Sequence, residues 1–103
     1  MTKLNTFDVV HILDDDAHDT YGTIMMTFPG VDDYRTDARG MQHKDNLMLA
    51  PIDKWEEAYE IMAKTLNEYH TAYNGKFLKS FFDRTTMMFP NNDKLKFNPK
   101  KEN

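Results

Sequence analysis

The sequence predicts an α+β domain, and three observations carry that expectation. Residues 6–13, Thr-Phe-Asp-Val-Val-His-Ile-Leu, are rich in β-branched and aromatic side chains and stop at three aspartates. Residues 21–28 have a similar composition and end at Pro29-Gly30, the clearest turn dipeptide in the chain. Further on, Trp55, Tyr59, Met62, Leu66, Tyr69 and Tyr73 recur at spacings of four, three, four, three and four, which traces one helical stripe.

Each element follows from local chemistry. In the first strand, alternation places Phe7, Val9, His11 and Leu13 on one face and Asp8, Val10 and Ile12 on the other. Apolar residues on both faces imply a strand with neighbours on both sides. Asp14 to Thr20 reads as a loop, because aspartates bond to their own backbone in turns. In the second strand Ile24, Met26 and Phe28 share a face, with Met25 between Thr23 and Thr27 on the other. The two strands predict a hairpin over 6–28. Residues 31–46 lack periodicity, and sixteen residues is long for a structureless loop, so the stretch is either functional, mobile or hiding a short element. Leu47 to Ala50 is a short strand stopped by Pro51. Asp53 with Glu56 resembles a capping box, which opens a helix over 53–74 that Asn74-Gly75 should close. Glu60 and Lys64 are ordered for an i,i+4 pair on its surface. Phe77 with Phe81, and Leu78 with Phe82, predict a short helix 76–84, and residues 85–89 a final strand before Pro90. The expected architecture is a small antiparallel sheet (hairpin 6–28, strands near 47–50 and 85–89) packed by a long helix 53–74 and a short helix 76–84. It forms a single domain, 1–90, followed by a polar, lysine-containing C-terminal tail, 91–103.

Composition narrows the function classes. The chain has 103 residues and 12.1 kDa, 40% of them hydrophobic and 29% charged, enough for one core. Seventeen acidic against thirteen basic side chains give a net charge of −4. The acids concentrate in residues 1–46 and the lysines near the end, a pattern that a solvated surface explains most simply. There is no cysteine, which removes disulfides, thiolate metal sites and cysteine nucleophiles. No apolar run approaches the roughly 18 residues of a membrane span, and Met1 to Phe7 lacks a signal-peptide pattern, so a cytoplasmic setting is expected. A small, acidic, cysteine-free chain without a catalytic motif has the flavour of virus- or phage-encoded accessory proteins.

Chemistry-bearing residues are sparse. His11, Asp14, Asp15, Asp16, His18 and Asp19 gather metal-type ligands, and Asp14, Asp16, His18 and Asp19 are the weak metal candidates. Their spacing fails the calcium-loop pattern, because Asp19 stands where glycine is needed. Ser80 is the only serine and has no nucleophile-elbow context, and four scattered glycines cannot cradle a phosphate. No catalytic residue and no cofactor is therefore assigned, and an enzyme is not favoured. The aromatic stripe points instead to a partner surface: three tyrosine hydroxyls fit poorly in one dry core, and tyrosine and tryptophan anchor interfaces. Trp55, Tyr59, Tyr69 and Tyr73, with Met25 and Met87 from the sheet, are the expected interface residues. The function expected is a non-enzymatic protein-protein interaction or regulatory module that forms a homodimer or binds a partner protein. A small divalent-metal-dependent enzyme or ligand-binding protein using loop 14–19 is the alternative. Nucleic-acid binding through the tail lysines and Phe97 is a weaker third reading.

Overall fold

A computed structural model describes residues 3–13 and 20–100. It shows an α+β fold that divides into two compact units, Met1–Ala58 and Tyr59–Asn103.

The first unit holds a five-stranded antiparallel sheet. Its strands are β1 (Val9–Ile12), β2 (Thr20–Thr27), β3 (Asp33–Thr36), β4 (Gly40–His43) and β5 (Leu47–Leu49), in the order β4-β3-β2-β1-β5. β1 pairs with β2, Val9 opposite Thr23, and on its other side with β5, Val10 opposite Leu49. The hairpin and the strand near 47–50 are thus where the sequence places them. Val9 and Val10 are both fully buried, so β1 is enclosed on both faces. One face collects Leu4, Val10, Ile12, Ile24, Tyr34 and Leu47 into a core cluster.

Phe7 precedes the strand instead of joining it. Its φ of 73° lies in the left-handed region, which strains any residue other than glycine. The compensation is a turn with Asp8 N–H donating to Asn5 O, followed by a bulge. Phe7 N–H donates to Ile24 O at 2.7 Å, and Ile24 N–H donates to Asp8 O at 2.9 Å, so two residues face one. A second irregularity at Met25 shifts the β2–β3 register between Ile24 and Met26. The extra residue inverts the alternation: Ile24 is buried, but Met26 is half exposed and Thr27 lies opposite Tyr34. The expected common face of Ile24, Met26 and Phe28 is corrected by that bulge.

Of the alternatives for residues 31–46, the structure shows the hidden element. It is the β3–β4 hairpin, with Asp33 opposite His43 and Thr36 opposite Gly40. Only Tyr34 and Thr36 of this hairpin are buried, too few inward positions for alternation to show in the sequence. Its turn is tied by the Thr36 hydroxyl, which donates to Gly40 O and accepts from Arg39 N–H. Before it, Pro29-Gly30 forms the expected turn: Val31 N–H donates to Phe28 O, and Gly30 takes the positive φ of 75° that the third turn position of this type requires. Gly22 answers a different need. A Cβ there would stand 3.2 Å from the Asp37 carboxylate and 3.3 Å from the Ala38 methyl, because the 37–39 turn lies against β2.

The first long helix, α1 (Trp55–Glu68), is entered through a 3-10 turn, Ile52–Lys54, so Asp53 sits within a turn and not at the predicted cap. Trp55 anchors the entry by donating its indole N–H to Ala50 O at 2.9 Å. Ala58, Tyr59, Met62, Ala63 and Leu66 continue the buried stripe.

In the second unit α1 stops at Glu68, six residues short of the predicted end. Tyr69 leaves helical geometry (φ −120°, ψ 36°), and a 3-10 turn, His70–Ala72, comes next. Asn74 starts a helix and does not end one, contrary to the sequence-based expectation: its side chain accepts from Lys76 N–H at 2.8 Å. The second helix, α2 (Gly75–Met88), absorbs the strand expected at 85–89. The β-branched pair Thr85-Thr86 is overridden because the buried set Leu78, Phe81, Phe82 and Thr85 keeps helical spacing. Tyr59 packs edge-on against Phe81 and Phe89, at centroid distances of 5.6 and 6.2 Å. Glu60 does not form the predicted pair with Lys64. It accepts from the Asn92 amide at 2.8 Å, with Lys94 Nζ 3.9 Å away. Past Pro90 the chain makes a 3-10 turn, Asp93–Leu95, whose Leu95 is fully buried with its carbonyl bonded to the Thr85 hydroxyl at 2.8 Å. Among the described residues, no helix is long and apolar enough to cross a membrane.

Two substitutions test this packing. Leu66 is 1% exposed. Leu66→Asp buries an unpaired charge, at a cost of several kcal/mol against a total of about 5–15. Cooperative thermal unfolding should be lost, and a melt overlaying the parent would show that this position is not core. The Thr23 hydroxyl is buried without a hydrogen-bond partner among the described residues. Thr23→Val removes that orphan group from a strand that favours β-branching. A gain of about 1 kcal/mol, roughly 4–8 °C in Tm, is expected by calorimetry; a lower Tm would mean the hydroxyl is satisfied in solution.

Candidate functional site

The pairing of β5 with β1 creates the site. Leu13 N–H donates to Asn46 O, and Ala50 N–H donates to Val9 O, so Asn46 and Ala50 direct main-chain groups toward β1. By antiparallel alternation Leu47 and Leu49 point theirs the other way, off the edge of the sheet. The Leu47 N–H is used by Lys44 O. That leaves the Leu47 carbonyl and both main-chain groups of Leu49 facing outward.

Beside this edge lies a groove of about 780 Å³. Leu4, Tyr34 and Leu47 of the core cluster contribute to its wall. Leu13, Val31, Met48 and Leu49 line it with between 41% and 57% of their surface exposed, an apolar lining open to solvent. At the rim Lys44 Nζ stands 3.5 Å from the Asp32 carboxylate, and Lys44 N–H donates to Asp32 O at 2.8 Å. A concave apolar surface with a few polar groups at its margin suits side chains of a bound molecule, with main-chain groups at the edge available for pairing.

The residues singled out from sequence are distributed differently. Tyr59 is fully buried and Trp55 nearly so, which removes both from the interface predicted for them: they belong to the packed side of α1. Tyr69 is exposed, and Tyr73 packs on Phe77 at 6.0 Å; neither continues the stripe, because the helix ends before them. Met87 is 76% exposed on α2, and Met25 is half-buried at the bulge. Asp14, Asp16, His18 and Asp19 lie outside the described residues. Among the described residues no group of three metal-type ligands occurs. His11 stacks on Tyr21 at 5.1 Å, and Lys54 Nζ lies 5.8 Å from the same ring. His43 accepts from Asp45 N–H at the start of a 3-10 turn, Lys44–Asn46. In the tail, Lys94, Lys96 and Lys100 each stand within 4 Å of a carboxylate, at 3.9, 3.0 and 3.3 Å. The groove residues were missed because Leu13, Val31 and the pair Met48-Leu49 lie far apart in the sequence, and only the fold of the sheet brings them together.

The fold is α+β, with an apolar groove beside β5, an outer strand of the sheet among the described residues. Comparison with known protein families, characterised proteins and solved structures found no match to this chain.

One buried carboxylate stands apart from the groove. Asp37 Oδ1 accepts from Thr23 N–H at 2.8 Å and ties the 37–39 turn to β2. Burial pushes its pKa above the ordinary 3.8, and the backbone N–H bonds of Thr23, Asp37 and Ala38 only partly offset that. A raised folded pKa means the native state binds more protons, so this group's contribution to stability falls as pH rises through the folded value. Asp37→Asn keeps an acceptor for Thr23 without the charge. Its Tm should exceed the parent's at neutral pH, and the gap should close as pH approaches 3.8. A gap that is constant with pH, or of opposite sign, would refute desolvation as the dominant cause.

Proposed function

We propose that the chain is a non-enzymatic protein-interaction module that takes an extended segment of a partner protein along β5. The observation that supports this reading is the outward-facing main chain of Leu47 and Leu49 beside an apolar groove lined by Leu13, Val31, Met48 and Leu49. Strand addition draws affinity from main-chain hydrogen bonds and specificity from pockets for alternate side chains. β5 has three residues and ends before Pro51, a short edge that limits indiscriminate pairing.

The test uses Leu49→Pro. The Leu49 N–H points away from β1, so proline there removes one outward donor and leaves the β1 ladder intact. Random peptides displayed on phage and selected on the parent chain should be rich in apolar residues. They should lose about tenfold in affinity for Leu49→Pro, the loss of one hydrogen bond of about 1.4 kcal/mol, with circular dichroism unchanged. Equal binding to both chains would exclude the β5 edge. Light scattering tests the other occupant: a mass near twice 12.1 kDa that Leu49→Pro returns to 12.1 kDa would make the added strand a second copy of this chain.

A further inference from the structure

The end of α1 holds a different kind of contact, independent of the β5 edge. Residues 96–100 run along it with no helix or strand of their own, held by main-chain hydrogen bonds at Lys96, Asn98 and Lys100. The Asn67 side chain uses both ends of its amide: Nδ2 donates to Lys96 O at 3.2 Å, and Oδ1 accepts from Asn98 N–H at 2.8 Å. These two bonds bracket Phe97, whose ring packs on Phe82 at 5.2 Å and edge-on to His70 at 6.5 Å. Three residues later Lys100 is gripped three times. Its N–H donates to Asn67 O at 3.1 Å, its carbonyl meets His70 Nε2 at 3.2 Å, and its Nζ reaches Glu68 at 3.3 Å. A carbonyl only accepts, so His70 Nε2 carries the hydrogen.

This arrangement arises from how α1 ends. A helix leaves its last carbonyls without intrahelical partners, and the early stop at Glu68 leaves that of Asn67 to be satisfied from outside. The distant Lys100 N–H supplies the partner, by a contact that needs an extended backbone more than a particular sequence. The segment is also lightly held. Leu95 is fully buried and fixed by Thr85, whereas Phe97 keeps 48% of its surface exposed and Asn98, Pro99 and Lys100 are exposed. The anchor therefore ends at Leu95, and lifting residues 96–100 uncovers Phe82 while Leu95 stays bonded to Thr85.

We infer that the surface formed by Asn67, Glu68, His70 and Phe82 is a peptide-binding site, and that residues 96–100 are its resident ligand in cis. Its external partner is an extended protein segment with an aromatic residue and, three positions later, a basic one. Asn67 reads the main chain on either side of the aromatic residue, Phe82 and His70 receive the ring, and Glu68 pairs with the cation. Pro99 holds the resident segment extended before binding, which lowers the ordering cost of a segment of this composition. Because partner and resident segment use the same atoms, the strap competes with the partner.

A fluorescent synthetic peptide copying residues 95–101, Leu-Lys-Phe-Asn-Pro-Lys-Lys, tests this against the full chain. Phe97→Ala, at a half-exposed position, releases the resident strap. Fluorescence anisotropy should show the peptide binding the Phe97→Ala chain at least tenfold more tightly than the parent. Adding Asn67→Ala should abolish that gain, as should replacing the peptide's own phenylalanine by alanine. No binding to a folded Phe97→Ala chain, or binding that Asn67→Ala leaves unchanged, overturns the inference and makes the strap ordinary packing. Hydrogen exchange on the parent chain gives a reading that needs no variant. The Lys100 amide should exchange far faster than the amide of Tyr59; exchange of both only through global unfolding also overturns it.

Discussion

The first unit depends on the enclosure of β1 on both faces. Val9 and Val10 are consecutive and point in opposite directions, yet both are fully buried. A strand with that requirement needs a neighbour at each edge and cover above and below. β2 and β5 supply the edges, which leaves β5 and β4 as the outer strands of the sheet. The position of β5 as an outer strand is thus a consequence of burying β1. The chain that completes its ladder must itself turn one side of its backbone to solvent. The strained Phe7 backbone and the bulge opposite Ile24 serve the same end, since they bring the chain into register at the start of β1.

The second unit depends on where helices stop. α1 ends at Glu68 because the chain leaves helical geometry at Tyr69, with two consequences. Asn74 becomes free to cap α2, and the main-chain carbonyl of Asn67 becomes an acceptor for a distant segment. Leu95 then marks the boundary between the packed core of this unit and the lightly held strap. Tyr59, which supplied a reason to expect a sticky surface, is instead the centre of an aromatic cluster with Phe81 and Phe89. A tyrosine on a buried stripe is compatible with a packed core when aromatic rings surround its body.

Legibility of the fold tracks how much of each element is decided locally. Thr6 to Leu13 and Tyr21 to Phe28 are readable because dense β-branched and aromatic runs next to a Pro-Gly turn leave few alternatives. The β3–β4 hairpin is illegible because two inward residues, Tyr34 and Thr36, are too few to make a period. Residues 85–89 mislead for the opposite reason. Their local composition favours a strand, but Thr85 completes the buried face of α2 and bonds the Leu95 carbonyl, so packing outweighs propensity. Asn74-Gly75 can close one helix or open the next, and its dipeptide chemistry fits both.

The sequence by itself determined the α+β class, the first hairpin, the short strand near 47–50, the buried stripe from Trp55 to Leu66 and the absence of cysteine chemistry. All of these rest on interactions within a few residues, or on composition, and need no knowledge of distant partners. The tertiary structure alone decided which strand lies at the edge, which apolar residues gather in the groove, and which carbonyl the end of α1 leaves for residues 96–100. Those outcomes depend on register and on contacts across some 30 residues, as between Asn67 and Asn98. A hydrogen bond to main chain carries no mark in the identity of the residue whose main chain is used. The candidate sites were therefore hidden in the sequence, although the elements that build them were partly visible.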